Sequence, residues 1–503
     1  MQPWYNIFLY QPDRPLLFSS LYFWIFYLLV FVVFSFVYRK KALRNIYLLI
    51  VSLFFYYKSG GYFFFLLLYT TLLDYFMGLL IYQARKKRYK RLMVFFSLLG
   101  NLGVLAYFKY AYFLTNFFND IFNVDYQVVD LLALWSNRLT DSHFDISSIL
   151  LPVGISFYTF QSLSYTLDVY RGKMEPVRNL LDFGFFVSFF PQLVAGPIVR
   201  AATFIPQLYK DYSLSRREMG HAVFLILNGL IKKMVISDFL SINFVDRVFD
   251  NPAAFTGIEN IMAIYGYSVQ IYCDFSGYTD IAIGVALLLG FRLPVNFNSP
   301  YKALGFTDFW RRWHISLSSW LKDYLYISMG GNRKGKVRTY INLMITMLLG
   351  GLWHGAHWRF IIWGGLHGLG LVVERAFRRL HLPADKNRIW RFAGVFITFH
   401  LVTFLWIFFR SDDLDSSMVM IRSIFHPTDP VIALAVLQSS WPVISLILLA
   451  MIIHWLPSRL KEWYRGLFIR AHFILKVLIA ALAVFMILQM KSSDIQPFIY
   501  FQF

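Results

Sequence analysis

The chain has 503 residues, of which 58% are hydrophobic, 20% aromatic and 15% charged. A soluble domain carries about 25% charged residues, so the composition excludes an ordinary water-soluble protein and predicts a chain that lies mostly in lipid. The net charge of +20 does not indicate nucleic-acid binding, because Lys and Arg stand in short blocks between apolar runs, as in the cytoplasmic loops of membrane proteins. The single Cys273 excludes an internal disulfide.

The first apolar run, residues 16–37, contains 22 residues without a charge, enough to cross a hydrocarbon core of roughly 30 Å. It lacks the basic leader and the cleavage site of a signal peptide, so we expect a retained helix. Basic blocks at 39–44 and 85–91 flank two shorter apolar runs separated by Ser59–Tyr62, which predicts a hairpin returning to the cytoplasm. The N-terminus is then expected outside, and the acidic segment 120–145 is expected to be an external loop.

An apolar run at 185–200 is interrupted by Pro191, Gly196 and Pro197. Proline removes a backbone donor, and an interrupted helix at membrane depth persists only where protein or water satisfies the freed groups. We therefore predict a re-entrant or cavity-lining element here. With the apolar runs that follow, the pattern predicts an all-α polytopic membrane protein with roughly ten to twelve passages.

The basic stretch 292–338 is expected on the cytoplasmic side and contains the segment FTDFWRRWHISLSSWLKDY. As one helix, this segment would place aromatic and leucine side chains on one face, charged side chains on the other, and His314 at the edge. Two interpretations stay open. The helix lies on the membrane surface with its cations reaching the solvent, or it lines a cavity.

The segment MLLGGLWHGAHWRFIIWGGLHGLG carries His354, His357 and His367 among apolar and glycine residues. An ionisable group at membrane depth is costly and by default functional, and a neutral imidazole can accept a proton from a hydroxyl. A buried histidine that bonds to a neighbouring helix is the other interpretation. His354 and His357 are three apart, but no nearby carboxylate or thiol completes a metal shell, so no metal site is expected.

Two acidic residues, Asp274 and Asp280, lie in the apolar segment YCDFSGYTDIAIG. Intramembrane acids mark ion paths or form hydrogen bonds within the protein. A non-enzymatic transporter that uses these acids and the break at Pro191 is therefore an alternative to an enzyme.

The chain ends in FIYFQF after the polar segment KSSD at 491–494, and Tyr500 carries the only hydroxyl of this tail. The distribution of positive charge places the tail outside the membrane. Simple apolar burial in a groove is one explanation for it.

Four segments in succession resemble the membrane-bound O-acyltransferase family: FFPQLVAGPIVR, YCDFSGYTDIAIGVALLLGFRLPVNFNSPY, DFWRRWHISLSSWL and GGLWHGAHWRFIIWGGLHG. They run from about Pro152 to His367 and look like the bacterial branch that acetylates alginate, peptidoglycan and cellulose. The resemblance implies a curved helical bundle around a central funnel, in a single membrane domain. Its parts would be N-terminal helices at 1–147, a core at 148–410, and C-terminal helices with the tail at 411–503.

By the same resemblance, His354 corresponds to the essential histidine of the family and His314 to its second important histidine. The donor would be acetyl-CoA, a substrate and not a permanently bound cofactor. Its phosphates would suit basic cytoplasmic side chains, with Arg311, Arg312, Lys322, Arg333 and Lys334 as candidates. The residues expected to bind substrate are Trp310, Arg311, Arg312, Trp313, Lys322, Trp353 and His367.

The resemblance also implies a function, the transfer of acetyl across a bacterial inner membrane for O-acetylation of an extracellular or cell-wall polysaccharide. In the related D-alanylation system, a small partner protein ends in a similar aromatic motif whose Tyr is thought to carry the acyl group. Tyr500 would accordingly carry acetyl to an exported acetyltransferase of the serine-hydrolase-like SGNH type. D-alanyl or another acyl transfer is the runner-up, and direct proton abstraction or an acyl-imidazole both stay open for His354.

Overall fold

The computed structural model describes residues 8–11, 15–141, 143–194, 196–377, 387–490 and 498–499. Their secondary structure is helical, and no strand occurs in these ranges. The first helices are α1 (Leu21–Val37), α2 (Lys41–Gly60), α3 (Phe64–Gln83), α4 (Lys87–Leu105), α5 (Ala111–Phe122) and α6 (Leu131–Thr140).

The middle of the chain contains thirteen further helices. They are α7 (Ile155–Tyr170), α8 (Leu180–Ser188), α9 (Phe190–Leu193), α10 (Ala201–Leu208), α11 (Arg216–Leu230), α12 (Asp238–Leu240), α13 (Asp246–Asp250), α14 (Gly257–Leu288), α15 (Phe306–Arg312), α16 (Ile315–Trp320), α17 (Lys336–His354), α18 (Trp358–Phe377) and α19 (Arg388–Arg410). The last are α20 (Leu414–Ile424), α21 (Pro430–Ser439), α22 (Trp441–Trp455), α23 (Ser458–Arg470) and α24 (Phe473–Met490).

Short segments of other helix types interrupt this series. Among the described residues, three are 3₁₀ turns, at Gly61–Phe63, Pro252–Ala254 and Pro300–Lys302. Four others in these ranges have π geometry, at Ala106–Tyr110, Ile231–Ser237, Ser241–Val245 and Leu321–Tyr326. Such π-bulges often mark functional sites.

The predicted hairpin between the first two basic blocks is present. Gly61 has a φ of 60°, a left-handed value that favours glycine, and it ends α2. Asn45 near the start of α2 donates to Asp182 at 3.4 Å, and the Tyr75 hydroxyl near the end of α3 donates to the Arg178 carbonyl at 2.6 Å. The N-terminal part of α2 and the C-terminal half of α3 therefore reach the same region around the start of α8, and the two helices are antiparallel.

In the part of the chain that the structure describes, six helical stretches are long and apolar enough to cross a membrane, and the bent pair α21 and α22 would make a seventh. The six are Lys41–Gln83, Lys87–Phe122, Gly257–Leu288, Trp358–Phe377, Arg388–Arg410 and Phe473–Met490. The number is smaller than the predicted ten to twelve, partly because the first stretch is the whole hairpin and partly because other apolar helices are short, as α1 is with 17 residues. The chain is an all-α polytopic membrane protein, as predicted.

The interrupted run at Pro191 is broken, as predicted. Helix α8 ends before it, and the four-residue α9 contains the proline. The Phe186 carbonyl accepts hydrogen bonds from the amides of Gln161 at 2.6 Å and Gln192 at 2.8 Å. Side chains of the protein thus satisfy a backbone group that the break releases, which is what allows a broken helix at this depth.

A buried carboxylate ties three N-terminal helices together. Asp74 on α3 is fully buried. Its two oxygens accept hydrogen bonds from Ser97 and Asn101 on α4 and from Ser162 and Thr166 on α7. Four donors compensate for the loss of hydration that burial imposes on a carboxylate. The network fixes α3, α4 and α7 relative to one another on one side of the site described next.

Candidate active site

His314 lies at a break in the chain, which corrects the predicted single amphipathic helix. Helix α15 ends before it, α16 begins after it, and His314 itself has a left-handed φ of 43°. Asn296 stabilises the break, since its carbonyl accepts from the Ile315 amide at 2.9 Å and its side-chain oxygen accepts from the Ser316 amide at 3.0 Å. A non-glycine residue in this region costs on the order of 1 kcal/mol and persists only where its surroundings hold it.

The aromatic face of this segment is enclosed by protein, so the membrane-surface interpretation is wrong for it. His314 has no exposed surface and Trp313 is 1% exposed. The Trp313 ring stacks on Phe309 at 5.7 Å and packs against Trp406 at 5.0 Å. The segment brings His314 into the interior and does not lie flat on the surface.

His354 is the last residue of α17, and it is 3% exposed. Close contact between α17 and α18 fixes this helix end. A methyl group on Gly351 would collide with the Phe360 carbonyl, and one on Gly364 would collide with the Met347 carbonyl. The glycine pair therefore sets the distance at which the two backbones cross, as small residues do between membrane helices.

The Trp353 side chain brings the two histidines together. Its ring centroid lies 5.0 Å from that of His354 and 6.0 Å from that of His314. On the other side, the Phe275 ring lies 4.6 Å from His314. His314 and His354 are forty residues apart in sequence (354 minus 314) and occupy one aromatic cluster in space.

A small, partly open pocket lies against His354. Its lining includes Lys109, Gly154, Phe157, Val194, Trp353 and His354. Val194 follows the broken segment, which confirms the prediction that this segment lines a cavity. The pocket gives a small molecule or a side chain direct access to the His354 side of the cluster.

The remaining aromatic candidates belong to the packing behind the two histidines. His367 is fully buried, with its ring 4.7 Å from Trp363, 5.2 Å from Trp310 and 5.9 Å from Phe309. Trp363 also contacts the His354 ring at 5.1 Å. These residues support the cluster, and their substrate-binding role stays a prediction.

The basic candidates lie elsewhere. Arg311 and Lys322 are exposed, as are Arg333 and Lys334. Arg312 is bound, since its guanidinium pairs with Asp308 at 2.9 Å. None of these five side chains lines the pocket beside His354. A role in binding phosphate groups would place the charged part of a donor away from that pocket.

Two lysines that the sequence analysis did not single out contribute to the site. Lys109 lines the pocket and donates to the backbone of α17. Lys233 is buried and pairs with Asp274 at 2.6 Å and with Asp238 at 2.9 Å. A signal for Lys109 was present in the sequence, because it is the one charged residue in the apolar run 92–118.

The two intramembrane acids are bound within the protein. Asp274 accepts from Lys233, and Asp280 accepts from Lys232 at 2.7 Å and from Asn228 at 2.8 Å. Both lysines belong to the π-helical segment Ile231–Ser237. Of the two interpretations, the structure supports internal hydrogen bonding. Within the described ranges, no group of three or more His, Cys, Asp or Glu side chains is arranged to hold a metal ion.

Part of the C-terminal tail docks beside this cluster. Phe498 is 2% exposed, and its ring lies 5.5 Å from Phe275 and 4.8 Å from Tyr278. The Ile499 amide donates to Asp274 at 2.8 Å. Phe275 is the same ring that contacts His314, so the tail begins to bind one aromatic layer away from a candidate histidine. Tyr500, the predicted carrier, lies outside the described residues.

Comparison with known proteins identifies the class. Residues 176–410 match the model of MBOAT, the membrane-bound O-acyltransferase family. The peptidoglycan O-acetyltransferase of Helicobacter pylori is 40% identical over 381 residues, which cover 69% of this chain and 67% of that protein. A probable alginate O-acetylase, AlgI of Pseudomonas putida, is 37% identical over 491 residues, which cover 92% of this chain and 94% of that protein. The teichoic acid D-alanyltransferase of Bacillus subtilis is 29% identical over 280 residues, covering 52% and 69%.

The chain therefore belongs to the membrane-bound O-acyltransferase family. It is an O-acyltransferase embedded in a membrane by multiple helices, as the motif resemblance implied.

Proposed function

We propose that this protein is an O-acetyltransferase in which His354 is the general base. The observation that carries the proposal is the position of His354, which faces a partly open pocket and shares the Trp353 ring with His314. The names of the relatives support acetyl as the acyl group, since relatives 37–40% identical over 69–92% of the chain are named O-acetyltransferase of peptidoglycan and probable O-acetylase of alginate. The donor is acetyl-CoA, whose thioester supplies an activated acyl group.

The first transfer requires a hydroxyl and a base. The hydroxyl oxygen attacks the carbonyl carbon of the acetyl thioester, the new C–O bond forms, and the C–S bond breaks. His354 accepts the hydroxyl proton and returns it to the departing thiolate, so that CoA leaves as the thiol. His314 supports the same cluster from the opposite side of Trp353 and orients the reacting groups.

Tyr500 supplies that hydroxyl and acts as the acetyl carrier. The docking of the two preceding residues supports this role, because Phe498 packs on Phe275 and the Ile499 amide binds Asp274. A phenol has a pKa of about 10 and is a better leaving group than an aliphatic alcohol, so the acetyl ester of a tyrosine remains activated. In the second transfer, the oxygen of an acceptor hydroxyl bonds to the carbonyl carbon of that ester, the bond between this carbon and the tyrosine oxygen breaks, and the acceptor's proton passes to the tyrosine oxygen.

The final acceptor is an extracytoplasmic polysaccharide, reached through an exported SGNH-type acetyltransferase. The relatives' names support a polysaccharide, because alginate and peptidoglycan both carry hydroxyls outside the cytoplasm. The protein resides in the bacterial inner membrane with both termini outside, and the exposed Arg311, Lys322 and Arg333 face the donor on the cytoplasmic side. Positive charge in cytoplasmic loops supports this orientation.

D-alanyl transfer is the second candidate. The likeness to a teichoic acid D-alanyltransferase supports it, but that likeness is 29% identical and covers 52% of the chain. The same histidines and tail would serve a D-alanyl thioester, because the chemistry acts on the thioester carbonyl and not on the group beyond it.

The test is mass spectrometry of the C-terminal peptide after purified protein has been incubated with labelled acetyl-CoA. We expect a labelled acetyl group on Tyr500 in the wild type, and none in His354→Ala or Tyr500→Phe. A labelled D-alanyl donor loaded on its cognate carrier protein serves as the comparison. Labelling of Tyr500 in His354→Ala at the wild-type rate would exclude His354 as the base, and labelling by the D-alanyl donor alone would favour the second candidate.

A further inference from the structure

Lys109 is a charged residue inside a membrane-spanning stretch. It belongs to Lys87–Phe122, which is long and apolar enough to cross the membrane, and an ammonium group at this depth is costly. The helix also changes geometry at this residue, because the π-helical segment Ala106–Tyr110 separates α4 from α5. A costly charge on an irregular helical segment requires a compensating role.

The π segment caps the helix that ends at His354. The Lys109 ammonium donates to the carbonyls of Trp353 at 2.8 Å and His354 at 2.9 Å, and the Tyr110 hydroxyl donates to the Leu352 carbonyl at 2.9 Å. The last four carbonyls of an α-helix have no partner within the helix. Two consecutive side chains therefore satisfy three carbonyls of α17, and they hold His354, which lines the pocket.

The positive charge of Lys109 has an electrostatic consequence for His354. A helix carries about half a negative charge at its C-terminal end, which favours a protonated imidazole there. The Lys109 side chain donates to two backbone carbonyls and lies 5.9 Å from the centre of the Trp353 ring, and while it is protonated its charge opposes that effect. The titratable groups that face His354 from the surrounding elements are Lys109, His314 and His367.

We propose, on the basis of the base role assigned to His354, that Lys109 is a positioning residue for acyl transfer. It fixes the end of α17 beside the pocket, and while protonated it offsets the negative end of that helix. This effect adds to that of burial in favouring a neutral His354 imidazole that can accept a proton. Lys109 does this without touching the reacting atoms. Tyr110 shares the capping role but not the charge, so the two residues can be separated by mutation.

The test measures modification of His354 by diethyl pyrocarbonate, a reagent that attacks neutral imidazoles, with mass spectrometry of the peptide that contains it. The rate is followed against pH in the full-length wild type, Lys109→Met, Lys109→Gln, Lys109→Arg and Tyr110→Phe. We expect the acidic limb of the curve to move up by about one pH unit in Lys109→Met and Lys109→Gln. Lys109→Arg keeps the wild-type limb because the charge remains, and Tyr110→Phe keeps it because only a neutral cap is lost.

If the acidic limb of the curve of modification rate against pH fell at the same pH in all five proteins, the proposal would be overturned. A wild-type His354 that is not modified at any pH would also overturn it, because the pocket would then not expose the imidazole. Acetyl transfer measured in parallel separates this result from the proposed function. At a pH on the acidic limb, Lys109→Met should transfer acetyl up to about tenfold more slowly with an unchanged KM for acetyl-CoA, and raising the pH should restore its kcat.

A wild type that transfers no acetyl, together with a shifted limb in Lys109→Met, contradicts the proposed function and supports the positioning role. A wild type that transfers acetyl, together with the same acidic limb in the wild type and in Lys109→Met, supports the proposed function and contradicts the positioning role. Thermal unfolding of each variant shows whether a lost rate reflects lost fold, and Lys109→Gln replaces Lys109→Met where the latter does not fold.

Discussion

Truncation of the Phe498 side chain should weaken the docking of the C-terminal tail and slow its acetylation. Phe498 is 2% exposed and packs between Phe275 and Tyr278, beside a small cavity that Phe18 and Lys233 also line. Full burial of a phenylalanine side chain contributes about 1.5 to 3 kcal/mol. Phe498→Ala should therefore lower the docking equilibrium constant by roughly 10- to 150-fold, at 1.4 kcal/mol for each factor of ten.

The assay is the time course of Tyr500 acetylation, followed by mass spectrometry of the C-terminal peptide at saturating acetyl-CoA. Where docking precedes transfer, the initial rate follows the docked fraction of the tail, so it falls by at most the same factor as the docking constant. Phe485→Ala is the matched control, because it removes the same ring from α24 at a side chain that is 57% exposed. A wild-type rate in Phe498→Ala would refute the reasoning, since it would show that acetylation of the tail does not depend on the observed docking.

Three further variants test the packing and electrostatics around the site. Asp74→Ala should lower the free energy of unfolding by about 3 kcal/mol, because four buried donors lose their acceptor. Asp74→Asn should lower it less. Melting temperatures of both variants equal to that of the wild type would contradict the network. Gly351→Ala should abolish acyl transfer by displacing the end of α17, whereas Gly350→Ala should be tolerated because its methyl would meet only the flexible Leu321 side chain, at 3.2 Å. Ser215 and Arg292 lower the pKa of Glu218 to about 2, so this carboxylate stabilises the fold above pH 4.5 and loses that effect as the pH falls toward 2. Glu218→Gln should accordingly melt about 1 °C lower at pH 7, with a deficit that narrows below pH 4.5, and a deficit independent of pH would contradict the ion pair.

The sequence predicted those parts of the site that depend on the cost of placing a polar group in an apolar run. His354 stood out for this reason, and so did the interrupted run at Pro191. Lys109 carried the same signal. Its role was not predictable, because its partner carbonyl at His354 lies 245 residues further along the chain. Local patterns identify costly residues, but only the tertiary structure identifies their partners.

The break at His314, by contrast, was not predicted from the sequence. The helical periodicity around it is strong, and the sequence therefore predicted one continuous amphipathic helix. Asn296 overrides that periodicity by accepting from two backbone amides after the break, and it belongs to a different segment. Likewise, the number of membrane passages depends on where π segments and tight turns divide the helices, and hydropathy does not register these.

The cap on α17 also bears on which part of the chain can be isolated. The family model begins at residue 176, yet Lys109 and Tyr110, which hold the end of the His354 helix, come from well before it. Residues 498 and 499 reach the same cluster from the other end of the chain. A fragment limited to the matched region would therefore retain both histidines and lack the side chains that fix and occupy their surroundings, and structural or directed-evolution work should keep the whole chain together.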